Sequence, residues 1–264
     1  MLRGSRYCAV AVRKENKIVT KVDPVSPLRL QKIPVLRGVL ALIDMLILGI
    51  NTLLWSAAQA EGEELSKKET ATLFTTTIAI AIVFFIGIPL LITLMISPSH
   101  GVLFNLLDGS LRLGIFIGYV GIISRLEDVK KLFRYHGAEH KVVNCYEQVH
   151  HVTVNAAKKC SPIHPRCGTT FVMVILLLSV VVLSIINPST WFGKFLVRIM
   201  MFPIIAGTSY EIIKLAANFR ENILLKAIIT PGLWFQTITT AEPTAEELEV
   251  AVAALNALVE KENA

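Results

Sequence analysis

Apolar residues in this chain gather in long unbroken runs separated by short polar connectors and two extended polar segments. Four runs have the length and apolarity of membrane-spanning helices: about 72–97, 103–124, 170–187 and 195–215. A fifth, 35–60, differs in kind. It carries Arg37 and Asp44, and Leu36, Leu40, Ile43, Leu46, Ile47, Ile50 and Leu54 recur at helical spacing. That pattern predicts a helix lying in the membrane interface or packed on the bundle. Ahead of it, Arg6–Arg13 and Lys17–Asp23 read as two strands of a hairpin turning at Lys14-Glu15-Asn16. Pro24, Pro27 and Pro34 then mark an extended linker. At the other end Thr244 and Glu247 form a capping-box signature for a helix whose Leu248, Val252, Leu255, Leu258 and Val259 make one apolar stripe.

The architecture predicted is an all-α membrane bundle of about four spans, with an N-terminal β-hairpin, a metal-binding loop and a C-terminal amphipathic helix. Its segments are 1–34 (hairpin and linker), 35–60 (interfacial or bundle-packed helix), 72–124 (first two spans), 125–169 (His/Cys loop), 170–215 (last two spans) and 216–264 (interfacial segment and C-terminal helix). Pro231-Gly232 reads as a helix break at the interface, beside Trp234.

Composition supports a membrane protein: 53% of residues are hydrophobic, 17% charged, and mean hydropathy is +0.60. The net charge of +6 is distributed as in membrane proteins. Residues 1–37 hold nine Lys/Arg and 125–166 hold eight, while the connectors after the first and third spans hold almost none. Both basic segments face the cytoplasm only if an even number of spans separates them, so 35–60 is expected not to cross and both termini to be cytoplasmic. Basic residues interleaved with aromatics are missing, so nucleic acid is not an expected partner. No cleavable signal peptide is visible. Cys8, Cys145, Cys160 and Cys167 all fall in the segments placed in the cytoplasm and are expected to be reduced thiols.

The chemistry sits in 136–167. His136, Glu139 and His140 share a helical face by their i, i+3, i+4 spacing, the arrangement of two metal ligands and a general base. Cys160, His164 and Cys167 follow with spacing short enough to converge on one ion. Charged residues also lie inside the spans. Asp108 and Arg112, four apart, are expected to pair within the bundle; Arg198, Tyr210 and Glu211 raise the same question.

Leu36-Arg37-Gly38, His136-Gly137-Ala138-Glu139-His140-Lys141, His164-Pro165-Arg166-Cys167-Gly168-Thr169, Gly207-Thr208-Ser209-Tyr210-Glu211 and Pro231-Gly232-Leu233-Trp234-Phe235-Gln236 together carry a resemblance that covers nearly the whole chain. The sequence resembles the YqhQ-like family of bacterial polytopic membrane proteins, a domain of unknown function described as predicted metal-dependent enzymes. The resemblance implies a bacterial inner-membrane protein and a metal ligand set of His136, His140, His164 and Cys167. Members of that family usually carry a Gly-rich, Glu-containing stretch ahead of the position where Met1-Leu2-Arg3-Gly4 stands here.

Two function classes follow. In one the protein is a metal-dependent hydrolase at the cytoplasmic membrane face, with a divalent metal (zinc by its mixed nitrogen and sulfur donors), Glu139 as base, and Arg166, Lys141, Glu211 and Cys160 as surrounding residues. In the other a structural zinc merely fixes the segment, and the protein is a scaffold or biogenesis partner for other membrane proteins. Besides the lipid bilayer, a membrane-protein partner belongs to this second class. Transport is a distant third, because the intramembrane charges form no chain across the bilayer.

Overall fold

The computed structural model describes all residues except 16, 26–32, 63–65, 97–100, 187, 189 and 220. Asn16, Pro27 and the connector Ser97–His100 therefore lie outside the described residues. The N-terminal sheet has three antiparallel strands in the order β1 (Leu2–Arg3), β2 (Tyr7–Lys14), β3 (Lys17–Pro24). β2 and β3 pair from Tyr7↔Pro24 to Lys14↔Lys17, as the hairpin pattern predicts. The two-residue β1 is too short to carry a periodicity of its own; it is held by pairing Leu2 with Ala9 and Arg3 with Cys8.

Ten helices follow among the described residues. They are α1 (Leu36–Glu61), α2 (Lys67–Ile82), α3 (Ile88–Ile96), α4 (Val102–Ile123), α5 (Glu127–Val149), α6 (Val154–Lys158), α7 (Gly168–Ile185), α8 (Trp191–Asn218), α9 (Ile223–Thr239) and α10 (Ala245–Asn263). α2 and α3 form one apolar rod through a π-helical turn at Val83–Gly87. Five helices are long and apolar enough to cross a membrane: Leu36–Gln59, Lys68–Ile96, Val102–Ile123, Gly168–Ile185 and Trp191–Asn218. These mark a multi-pass membrane protein, and the four expected spans all appear within a few residues of their predicted bounds.

α7 is the centre of the apolar bundle and packs on α4, α8 and α9. α1 packs on α8, where Gly38 and Gly207 let the backbones approach. A Cβ on Gly38 would lie 2.8 Å from the Gly207 carbonyl oxygen. Arg37 and Glu211 close the same crossing as an ion pair, with Nε of Arg37 donating to Oε1 at 2.6 Å. The expected pair inside the bundle forms: Arg112 donates to Asp108 at 2.6 Å.

Two local expectations change. The segment expected as a polar loop is mostly helix, since α5 begins nine residues before His136 and holds both histidines of the motif. Pro231-Gly232 does not break α9, which runs through it to Thr239. There Gly232 lies against Thr170 of α7, so packing outweighs the hydrogen bond that proline cannot donate.

The stripe on α10 finds its partner within the chain. Leu248, Leu255 and Leu258 are buried with Leu2 and Ala9 of the sheet, Ala138, Val142 and Cys145 of α5, and Ala157 of α6. The predicted capping box is present in both directions between Thr244 and Glu247. Glu247 also accepts from Nε of Arg134 at 2.8 Å. At the far end, Glu262 accepts from the backbone N–H groups of Arg6 (2.8 Å) and Tyr7 (3.1 Å), and these with the neighbouring donors bring its carboxyl down to about 2. Both chain ends and the helix bearing the histidines thus form one body at one end of the bundle. All four cysteines are free thiols.

Candidate metal centre

His136 and His140 project from one face of α5, their ring centroids 4.4 Å apart. Cys167 approaches from the N-cap position of α7, at the start of the bundle's central helix. Ligand atoms of these three residues all lie within 4.8 Å of one another, so the triplet could hold a metal ion. His140 and Cys167 are buried and His136 is half-buried.

Backbone carbonyls orient both rings. His136 Nδ1 is 2.8 Å from the Thr239 carbonyl oxygen, and His140 Nδ1 is 2.6 Å from that of Pro162. A carbonyl only accepts, so each Nδ1 carries a proton and donates it, which leaves each Nε2 facing the site, able to donate when the ring is an imidazolium and to offer a lone pair to a metal when it is neutral. His136 Nε2 lies 3.2 Å from Cys167 Sγ. This is the arrangement by which backbone acceptors fix the tautomer and aim of metal-binding histidines.

The carbonyl of Thr239 reaches His136 because Gly137 has no side chain. A Cβ there would sit 2.1 Å from the Ala241 carbonyl oxygen, so the α9–α10 connector lies directly on α5. Ala241 N–H donating to Phe133 O at 3.0 Å fixes the same contact. Gln236 holds the turn ahead of Cys167. Its amide accepts from His164 N–H at 2.9 Å and donates to His164 O at 2.8 Å and to Thr170 Oγ1 at 2.6 Å. Asn144 donates to the carbonyls of Ser161 (2.7 Å) and Ile163 (3.0 Å), tying the same turn to α5.

The electrostatics favour a thiolate. Burial works against ionisation of Cys167, but hydrogen bonds from His136 and His140 outweigh it and bring the thiol down to about 5. Thr169 N–H also donates to Sγ at 3.4 Å, as expected at a helix N-terminus. Burial pulls His136 down, yet its contact with Cys167 leaves it raised above an ordinary histidine.

The remaining site candidates are placed as follows. His164 lies apart from the triplet, its ring centroid 5.9 Å from that of His140. Its Nε2 faces Glu147 Oε1 at 3.3 Å, and its Nδ1 accepts from Arg166 N–H at 3.3 Å. Burial holds it below the ordinary histidine value. Glu139 pairs with the Met1 ammonium. Arg166 pairs with Glu147, and Lys141 with Glu242 at 2.7 Å while also donating to Lys158 O. Glu211 is at the α1–α8 crossing with Arg37. Cys160 packs beside Cys145, whose thiol burial pushes up. Asn144 and the Pro162 carbonyl had no signal in the sequence, because an asparagine four residues past a histidine on a helix is commonplace. Gln236, Thr237 and Thr239 read in the sequence either as lining the mouth of a site or, more simply, as the end of a helix; Gln236 and Thr239 both take part in the site.

Beside His136 opens an apolar cleft of about 250 Å³, whose lining includes Phe116, Val120, Phe133, Val172 and Phe235 together with Thr169 and Thr239.

The family described as "Protein of unknown function (DUF1385)" matches residues 33–261. The uncharacterized protein YqhQ of Bacillus subtilis (strain 168) is 28% identical over 286 residues, covering 99% of this chain and 90% of that protein. No solved structure matches.

Proposed function

The chain belongs to this family of unknown function, and from the geometry of its site we propose that it is a metal-dependent enzyme, a hydrolase, of the bacterial inner membrane. The convergence of His136 Nε2, His140 Nε2 and Cys167 Sγ, with both Nδ1 protons committed to backbone carbonyls, carries this reading. Two imidazoles and a thiolate are the borderline-soft donors that suit zinc, and three protein donors are the number that leaves room for water. A zinc ion bound there supplies a Lewis acid that lowers the pKa of water toward neutrality. Glu139, one turn from His136 on the same helix, is the proposed base; freed from the Met1 ammonium it would take a proton at the mouth of the site. Arg166 and Lys141 set the positive charge around it.

The cleft beside His136 supports a membrane-associated substrate, since its walls are apolar and His136 is one of its lining residues. Topology supports a site at the cytoplasmic face. The basic residues of the sheet and of α5 lie in one body, since α10 packs on both. An even number of crossings between them is met if α1 lies along the surface. Its Asp44 pairs with Arg3 and its Thr52 donates to Met1 Sδ at 3.2 Å, which ties its middle to the sheet, while Leu46, Ile47 and Leu53 are exposed for lipid.

The second reading, a structural zinc in a scaffold protein, is favoured by one observation: His164 is near enough to serve as a fourth ligand after a small shift of its ring. Metal content by mass spectrometry on detergent-purified protein decides. Stoichiometric zinc retained in Glu139→Gln and His164→Ala, and lost in His140→Ala and Cys167→Ala, is the expected result. Loss in His164→Ala as well supports the closed structural site, and metal-free wild type purified without chelator overturns both.

A further inference from the structure

The cleft beside His136 carries more chemistry than an attachment to the membrane. Among the described residues that line it, none is Lys, Arg, Asp or Glu, and six are large hydrophobics: Phe116, Val120, Ile123, Phe133, Val172 and Phe235. A ligand with charge or hydroxyl groups along its length would lose water there without gaining partners. The wall is also preformed. Phe116 packs on Phe235 with ring centroids 5.3 Å apart, and is backed at 5.8 Å by Phe85 of the π-helical turn. Val120 and Phe235 are buried in one core with Met173.

The position of the cleft restricts its occupant further. It lies at the end of the bundle where α4 stops and α7 starts, next to Cys167. On α4 its lining runs from Ile123, the last helical residue, to Phe116, about 10 Å deeper at the helical rise. Gly168 and Val172 of α7 line it and are exposed, so it reaches the surface of the bundle within the apolar span Gly168–Ile185. That surface is apolar as well, with Tyr119 and Ile122 of α4 exposed. A slot that starts at a metal-binding histidine and opens sideways toward lipid matches the build of a bilayer lipid, whose polar linkage sits at the headgroup boundary while its chain runs inward.

Size sets the last limit. A dry engineered cavity of about 150 Å³ takes up benzene, six carbons, so a cleft of about 250 Å³ takes about ten by proportion. That is the first part of one fatty chain and not a pair of chains.

We propose that this cleft is an acyl-chain site: it takes about the first ten carbons of one fatty chain of a bilayer lipid and sets the chain's carboxyl ester beside His136. Occupation by the chain stands on the cleft alone, whereas cleavage of the ester rests on the hydrolase reading above. Hydrolysis of that ester consumes one water. Its oxygen bonds to the acyl carbon, the bond from that carbon to the alcohol oxygen breaks, and the two hydrogens end on the acid and the alcohol.

Two measurements on the full chain test the two halves separately. In the first, nanodiscs contain phosphatidylcholine with a photoactivatable diazirine near the middle of one acyl chain, and labelled residues are mapped by mass spectrometry. Labels are expected on Phe116 or Phe133 inside the cleft and on Val181, which is 59% exposed on the outer face of α7. Val172→Trp, which fills the mouth, should remove the label from the cleft and leave that on Val181; Ile123→Trp on the opposite edge is the second variant should the first not fold. In the second, zinc-loaded protein is given p-nitrophenyl esters with chains of two to fourteen carbons. The ratio kcat/KM is expected to rise about two- to fourfold per methylene and to level off near ten carbons, and Val172→Trp should flatten the rise. A labelled cleft with no ester hydrolysed upholds the acyl site and removes the hydrolase reading. Hydrolysis indifferent to chain length overturns the acyl site and leaves that reading standing. The acyl site is likewise overturned by a cleft that takes no label, or one labelled as strongly in the tryptophan variants.

Discussion

Gln236 grips the peptide of His164 from both sides, its side-chain amide accepting from the N–H at 2.9 Å and donating to the carbonyl at 2.8 Å. This contact fixes the turn that delivers Cys167. Replacement by leucine, of similar size, leaves buried backbone groups unmatched at a cost of about 1–3 kcal/mol each. Gln236→Leu is expected to keep the helical content of the protein while weakening metal binding by about 10–100-fold, the usual effect of removing a group that orients ligands. Chelator competition with a fluorescent zinc indicator measures it, and unchanged affinity would refute the role.

A methyl group at position 137 has no room beneath the Ala241 carbonyl oxygen, 2.1 Å from where it would stand. Gly137→Ala should therefore lift the connector from α5, cost about 1–3 kcal/mol and remove the Thr239 acceptor from His136. Gly118→Ala on α4, where nothing lies within 4 Å, is the matched control and should leave the melting temperature in place. Equal melting of the two variants would count against the tight contact.

Cys167 should behave as a thiolate in metal-stripped protein. Its folded value is depressed to about 5 from an ordinary 9.0, so the reactive anion is present above about pH 5 and disappears as the pH falls through it. Alkylation by iodoacetamide should titrate there, and His136→Ala should move the midpoint up toward that of a free thiol. Zinc added back should protect the cysteine. Alkylation of wild type with an ordinary thiol midpoint would contradict the His136–Cys167 contact.

Two positions at the start of α10 give a graded test of the extramembrane body. Thr244→Ala removes one half of the capping box and should cost about 1 kcal/mol. Leu248→Ala, at a fully buried position, should cost about 2–5 kcal/mol. Since His140 shares α5 with Ala138 and Val142 of the same core, zinc retention on heating should fall in the same order. Metal release at wild-type temperature in Leu248→Ala would show that the core and the site are uncoupled.

How far the sequence reveals this arrangement depends on the range of the interaction. His136 and His140 are legible because helical spacing alone puts them on one face, and Asp108 and Arg112 for the same reason. The helical spans and the α10 capping box are local signals too. Cys167 joins the histidines across 27 residues, which spacing cannot predict; it was picked out by its motif. The same motif named His164, yet its ring nitrogens face Glu147 and the Arg166 N–H, partners set by how the turn lies on α5. Arg198 completing the Asp108 pair from another helix is equally invisible along the chain. β1 escaped because two residues carry no pattern, and α9 continues through Pro231 because contact with Thr170 compensates for what the local rule forbids.

The order of synthesis gives the shared core a further meaning. α5 ends at Val149, whereas α10, which covers its apolar side, begins only at Ala245, after α6 to α9. The apolar helices can enter the bilayer one after another, but the face of α5 opposite the histidines stays uncovered until α10 has been made. Assembly of the His136–His140–Cys167 centre therefore waits on a helix made long after its two histidines. A chain stopped before Ala245 would be inserted in the membrane and still lack a finished site.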